Sequence, residues 1–312
     1  MPATAREHRA ADGRNRSRAP QKPVLLSIVV DLAQAHTHLS SGDPEDPETV
    51  HQARRALTRA RGAVRLLRPE LDGVAGSIDD RLRRSLHDLS GSRDAVACQD
   101  ACRRLGERQR NMRTARALRR ASELARSSLS CEQSHAPADA GFATVCDRLS
   151  ALREALSRFA DELEAPGPDE AHARGLAHAR GLAHGLGVSW QSARRAFRRA
   201  RRDPTPEHLH RWRRRVRDLR TQVALLTGSD PRLTPGCPAL ELHARLDRLA
   251  KVLGHHHDLT LVRAAAERLA TRSDRKRAVR AIEREDRRLC RSALRLGRRI
   301  VSSPPARHIP PG

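Results

Sequence analysis

Between Glu207 and Gly228 the sequence EHLHRWRRRVRDLRTQVALLTG spaces His210, Arg213, Arg214, Arg217 and Arg220 by steps of mostly three and four residues. On a helical wheel at about 100° per residue, with His210 at zero, the four arginines fall at about 300°, 40°, 340° and 280°, one ridge along one face. Trp212, Val216, Leu219, Val223 and Leu226 gather at about 160–240° instead. A guanidinium stays charged, and its planar fork bonds two phosphate oxygens at once. A histidine beside it becomes a stronger donor when a nearby anion protonates it. Like charges at these spacings repel on an isolated helix, so a face that aligns them is either solvated or holds something negative. The chemistry on offer is anion binding.

The ridge occurs twice. VHQARRALTRARGAVRLLRPEL, Val50 to Leu71, places His51, Arg54, Arg55, Arg61 and Arg65 at about 280–40°, with Ala53, Leu57, Ala60, Val64 and Leu67 opposite. Thr58 stands where the other copy has Arg217. The two copies are offset by 159 residues (210 minus 51), which implies an internal duplication.

The elements that carry these ridges must be helical. The 312 residues are 38% hydrophobic and 31% charged, with two Trp, three Phe and no Tyr. An all-β core of this size would need more aromatic and β-branched residues. The net charge of +24 points to a polyanion or an anionic surface as partner. Only Lys22, Lys251 and Lys276 are lysines, so a GC-rich coding bias accounts for most scattered arginines but not for two aligned ridges. The cysteines have no framework spacing, and Cys98 and Cys102 lack a second pair to complete a zinc site. Neither a signal peptide nor an apolar run of membrane-spanning length is present, so a cytoplasmic protein with reduced thiols is expected.

Residues 1–23 read as a disordered basic arm and 302–312 as a disordered tail. Helix one runs from about Val24 to Leu39. The acidic SSGDPEDPE turn caps the first basic helix. A third helix starts near Ile78, breaks at LSGSRDA (89–95) and continues to about Arg126. Phe142 to Glu164 forms another. Ala165-Pro166-Gly167-Pro168 divides a first half, 24–165, from a second, 169–301. The second half opens with the repeat AHARGLAHARGLAHGLG, whose histidines share no helix face. The second basic helix follows, then a helix over 238–271 holding LGHHHDL (253–259), then Ser273 to Ile300. Each half thus reads as four helices, the second basic and the third interrupted. Consecutive residues on a helix point about 100° apart, so His255, His256 and His257 cannot converge on one metal.

VHQARRALTRAR, LHRWRRRVRDLR, SGSRDA and LGHHHDL, in this order and duplicated, resemble the CHAD family, the conserved histidine α-helical domain. The resemblance spans about residues 24–301. It implies an all-α fold of two four-helix bundles related by a pseudo-twofold, facing each other across a basic channel that binds inorganic polyphosphate. His51, Arg54, Arg55 and Arg61 match the first motif, and His210, Arg213, Arg214, Arg217 and Arg220 the second. Asp94 and Asp258 match the acidic position after the helix-three break, where a carboxylate would orient an arginine. Thr58, Thr221 and His257 depart from the family pattern. Without the glutamate-rich strands of a triphosphate-cleaving CYTH domain, the chain reads as a stand-alone binding module, without catalysis, metal or cofactor. Polyphosphate or polymer storage granules are the expected partners. Two alternatives stay open: a basic helical nucleic-acid binder, and a metal-assisted phosphohydrolase using His and Asp.

Overall fold

Asp46 shows why the first basic helix begins where it does. Its carboxylate accepts from the backbone N–H groups of Glu48 at 3.0 Å and Thr49 at 3.3 Å, and Pro47 and Glu48 occupy the first turn. These backbone hydrogen bonds hold the Asp46 carboxyl below its usual range. At the second basic helix, Thr205 accepts from His208 N at 3.3 Å ahead of Pro206. Cys237 caps the following helix through Leu240 N, with Pro238 next in line.

The computed structural model describes residues 22–42, 46–69, 71, 73–89, 91–133, 138–161, 168–228 and 237–302. It is helical throughout: α1 (Lys22–Ser41), α2 (Pro47–Leu66), α3 (Val74–Asp88), α4 (Gly91–Glu107), α5 (Met112–Gln133), α6 (Ala138–Asp161), α7 (Pro168–Arg202), α8 (Pro206–Gly228), α9 (Pro238–Glu267) and α10 (Arg272–Val301). No strand occurs among the described residues. The expected arm and tail lie outside them, except that Lys22 and Pro23 already belong to α1 and Ser302 follows α10. The division at 165–167 also lies outside them.

Two expectations about the helices change. The first half breaks at Leu89 as expected, but it breaks again at Arg108–Asn111, where α4 turns back into α5. The third helix of the second half is not interrupted, since α9 runs unbroken through LGHHHDL. Its Gly254 costs some helix propensity, but packing of Leu253 and Leu259 on either side holds the segment helical.

Packing organises these helices around three cores. The first gathers α1, α2, α3 and α6, with Leu25, Ile28, Leu32, Leu57, Val64, Leu82 and Leu149 fully buried. The second gathers α7, α8, the first half of α9 and the end of α10 around Trp190, Phe197 and Trp212. Phe197 and Trp212 pack 5.2 Å apart at a tilt, and Gly297 leaves the space they occupy: a Cβ there would lie 2.5 Å from Trp212. The expected apolar stripes of α2 and α8 both point into these cores.

The third core was not foreseen. The α4–α5 hairpin leaves the first core and packs on the far ends of α9 and α10, burying Cys98, Cys102, Leu105 and Leu118 against Leu259, Val262, Ile282 and Leu289. Each half therefore lends one helical hairpin to a core that neither completes alone.

Candidate anion-binding cleft

The two basic helices touch. A Cβ on Gly62 of α2 would lie 2.5 Å from Thr221 Cγ2 on α8, so the backbones approach closely because residue 62 has no side chain. Next to this contact Gln222 Nε2 donates to Gly62 O at 3.3 Å. One turn further on, Arg65 of α2 binds Asp218 of α8. Beside the crossing opens a cleft of about 980 Å³.

His51, Arg54, Arg55, Thr58 and Arg59 line it from α2, and Arg213, Arg217, Arg220 and Thr221 from α8. α9 supplies His243, Asp247, Lys251, His255 and Asp258, and α4 supplies Asp100 and Arg104. Eight arginine and lysine side chains face four carboxylates, so the wall is positive before any histidine is protonated. Among the described residues, no aromatic ring other than histidine lines it.

Two of these carboxylates, Asp247 and Asp258, each hold a cation of the wall. Asp247 takes Arg220 at 2.8 Å and Lys251 at 2.9 Å. The Lys251 hydrogen bond is the largest influence holding its carboxyl below the usual range. Asp258 takes Arg104 at 3.2 Å. Asp94 sits on α4, with its side chain outside the described residues.

Arg54 has a second duty. Its Nη1 donates to Leu86 O and, at 2.7 Å, to Leu89 O, capping the end of α3 where the helix breaks. The equivalent arginine on α8, Arg213, lies 4.0 Å from where a Cβ on Gly254 would sit, within the unbroken α9.

Not every ridge residue reaches the cleft. Arg61 and Arg65 bind Asp79 of α3 at 2.7 and 3.0 Å. Burial alone would raise the Asp79 carboxyl, but the hydrogen bonds and charges of these two arginines outweigh it and keep it low. Arg214 is exposed outside the cleft lining. His210 stacks on His257, ring centroids 4.6 Å apart and Nδ1 to Nδ1 at 3.2 Å. Burial, then the charges of Arg214, Arg213 and Arg217, hold its imidazole below the usual range.

The histidine run divides as the wheel requires. His255 faces the cleft, His256 is buried with Nε2 3.0 Å from Asp286 of α10, and His257 meets His210.

Arg104, His243 and Lys251 are lining residues that the ridge pattern did not reveal. A wheel drawn for α9 would have found two of them. His243, Asp247, Lys251, His255 and Asp258 recur at steps of four, four, four and three, a polar stripe opposite Leu242, Leu246, Leu249 and Leu253.

Two basic helices crossing beside a cation-lined cleft, in an all-helical chain, define the class to which this protein belongs. The CHAD domain model matches residues 26–270, and the chain is a member of the CHAD family. The match ends just before α10. No curated protein matches the chain. No helix among the described residues is long and apolar enough to cross a membrane.

Proposed function

We propose that this cleft binds inorganic polyphosphate, and that the protein is a non-catalytic cytoplasmic binding module. The observation that carries the reading is that Arg54 and Arg55 of one basic helix and Arg213 and Arg217 of the other line a single cleft. A polyphosphate chain is a flexible line of charge, and guanidinium forks on two walls can grip it from both sides. A duplex needs a broader surface, and single strands favour aromatic stacking platforms, which the described residues of the cleft do not supply. Binding to phosphate-rich granules would use the same chemistry.

Catalysis is not part of the proposal. Asp247 and Asp258 are each neutralised by arginine or lysine, which suits them to hold cations rather than take protons from water.

The same reading takes the halves 24–165 and 169–301 as duplicated four-helix units related by a pseudo-twofold. Gly62 and Thr221 support it, being equivalent under the 159-residue offset (221 minus 62) and in contact with each other. A residue meets its own equivalent where a twofold axis passes.

The test is a competition between labelled long-chain polyphosphate and duplex DNA at several salt concentrations, with and without magnesium, manganese or zinc. Polyphosphate should remain bound at salt that releases DNA, and no phosphate should be liberated. DNA that competes on equal terms, charge for charge, would turn the reading toward a nucleic-acid binder. Metal-dependent phosphate release abolished by Asp258→Ala would turn it toward an enzyme.

A further inference from the structure

A second depression, about 430 Å³ in volume, lies between α4 and α10, with Arg108, Gln109, Arg284, Glu285 and Arg288 in its wall. Glu285 takes both oxygens to Arg288 at 2.7 Å and receives Arg108 at 2.6 Å. Arg284 is exposed, and its only described hydrogen bond is to Gln109 Oε1 at 3.4 Å. Three guanidiniums surround one carboxylate, so positive charge remains after the pairs are made.

The two depressions adjoin. Arg104 on α4 lines the main cleft, and Arg108, the first residue past the end of α4, lines the second. His255, which lines the main cleft, is close enough to feel Arg108, Glu285 and Arg288, with burial and Arg104 the larger influences that lower its pKa. A linear polyanion running past the end of α4 would pass from one basic wall to the next.

We propose that the depression formed by Arg108, Arg284 and Arg288 is an anion subsite that receives the end of a polyphosphate chain lying in the main cleft. The protein then selects chains by length. A short oligophosphate is held by the cleft alone, whereas a long chain engages both. This rests on the polyphosphate reading of the cleft.

The experiment compares tripolyphosphate with long-chain polyphosphate, each titrated into wild type, Arg284→Gln with Arg288→Gln, Arg284→Gln alone, and Arg198→Gln with Arg201→Gln on the exposed outer face of α7. Arg284→Gln alone keeps the Glu285 pairs intact, so it tests the subsite even where the double variant loses stability. Wild type should bind the long chain more tightly. The double variant should lose about tenfold for the long chain, the scale of one or two charged contacts, and Arg284→Gln a part of that. Tripolyphosphate affinity should stay unchanged, and the outer-face pair should cost far less.

Equal losses for both ligands, no loss for the long chain, or an outer-face pair that costs as much would each overturn the subsite. Failure of the underlying reading looks different: wild type then binds neither phosphate, or binding ignores Arg213→Glu with Arg217→Glu.

Discussion

Gly62 of α2 and Thr221 of α8 meet where the two basic helices cross, and a Cβ at 62 would lie 2.5 Å from the Thr221 methyl group and 3.0 Å from its Cβ. The missing side chain sets how close the two walls of the cleft can come.

That closeness can be measured. Gly62→Ala should gain about 1 kcal/mol of helix propensity but lose about 1–3 to overpacking, a net destabilisation. Thr221→Ala removes the offending methyl, so the double variant should recover most of the loss, with a favourable coupling of about 0.5–3 kcal/mol. Urea unfolding of the four proteins gives the cycle. A Gly62→Ala protein more stable than wild type, or strictly additive effects, would mean the helices can part at no cost.

Arg213→Glu with Arg217→Glu puts two anions in the α8 wall. Polyphosphate affinity should fall by about a hundredfold or more, given about 1.5–3 kcal/mol for each hydrogen bond to a charged group. Helicity should hold, because both side chains avoid the buried stripe. Arg198→Glu with Arg201→Glu, the same charge change on an outer face, should cost much less. Fluorescence titration at fixed salt separates the cases, and equal losses would assign the binding to diffuse charge.

Arg54 and Arg55 are neighbours with different duties. Arg54→Ala strands the carbonyls of Leu86 and Leu89 and should cost about 1–3 kcal/mol of stability. Arg55 is exposed, so Arg55→Ala should move stability by no more than about 0.5 kcal/mol while still weakening polyphosphate binding. Denaturant midpoints should therefore fall for Arg54→Ala and hold for Arg55→Ala, while the binding constants weaken for both. A stable Arg54→Ala protein would remove the capping role.

His210 and His255 should make binding and folding respond oppositely to acid. Burial is the first cause lowering both; Arg214, Arg213 and Arg217 add to it at His210, and Arg104, Arg108 and Arg288 at His255, against an opposing Glu285. Both start from 6.5. As pH falls through that value the unfolded chain takes up protons first, so stability should decline until the folded pKa values are passed. A bound polyanion raises those values, so binding takes up protons and affinity should rise over the same window. Titrations between about pH 5 and 8, with His255→Gln flattening part of the binding curve, check the sign. Affinity that falls on acidification would contradict it.

Much of this arrangement could be read before any coordinates. Period 3.6 alone placed Leu57, Val64, Trp212 and Leu219 inside, because burial of one stripe is a local property of a helix. The wheel also put Arg61 and Arg65 on the ridge, but direction from a helix axis does not say which neighbour lies there. Asp79 arrives from α3 and Asp218 from α8, and they engage the two arginines. Arg104 and Lys251 escaped notice for the opposite reason: they belong to other helices, and only the tertiary fold turns them toward the ridge. The third core was equally hidden, since Leu105 and Leu118 meet Val262 and Ile282 across more than a hundred residues of chain.

That shared core also constrains what a single half could be. Cut off from α9 and α10, the α4–α5 hairpin would carry Cys98, Leu105 and Leu118 as an open apolar face, which water penalises. In this chain the face that covers it is that of α9 and α10, whose residues lie at about the 159-residue offset from the hairpin. Under the duplication proposed above, a one-half ancestor would have been a homodimer with its groove at the seam, and fusion would have freed each wall to change separately. Thr58 opposite Arg217, and Gly62 opposite Thr221, are the kind of asymmetry that such freedom leaves behind.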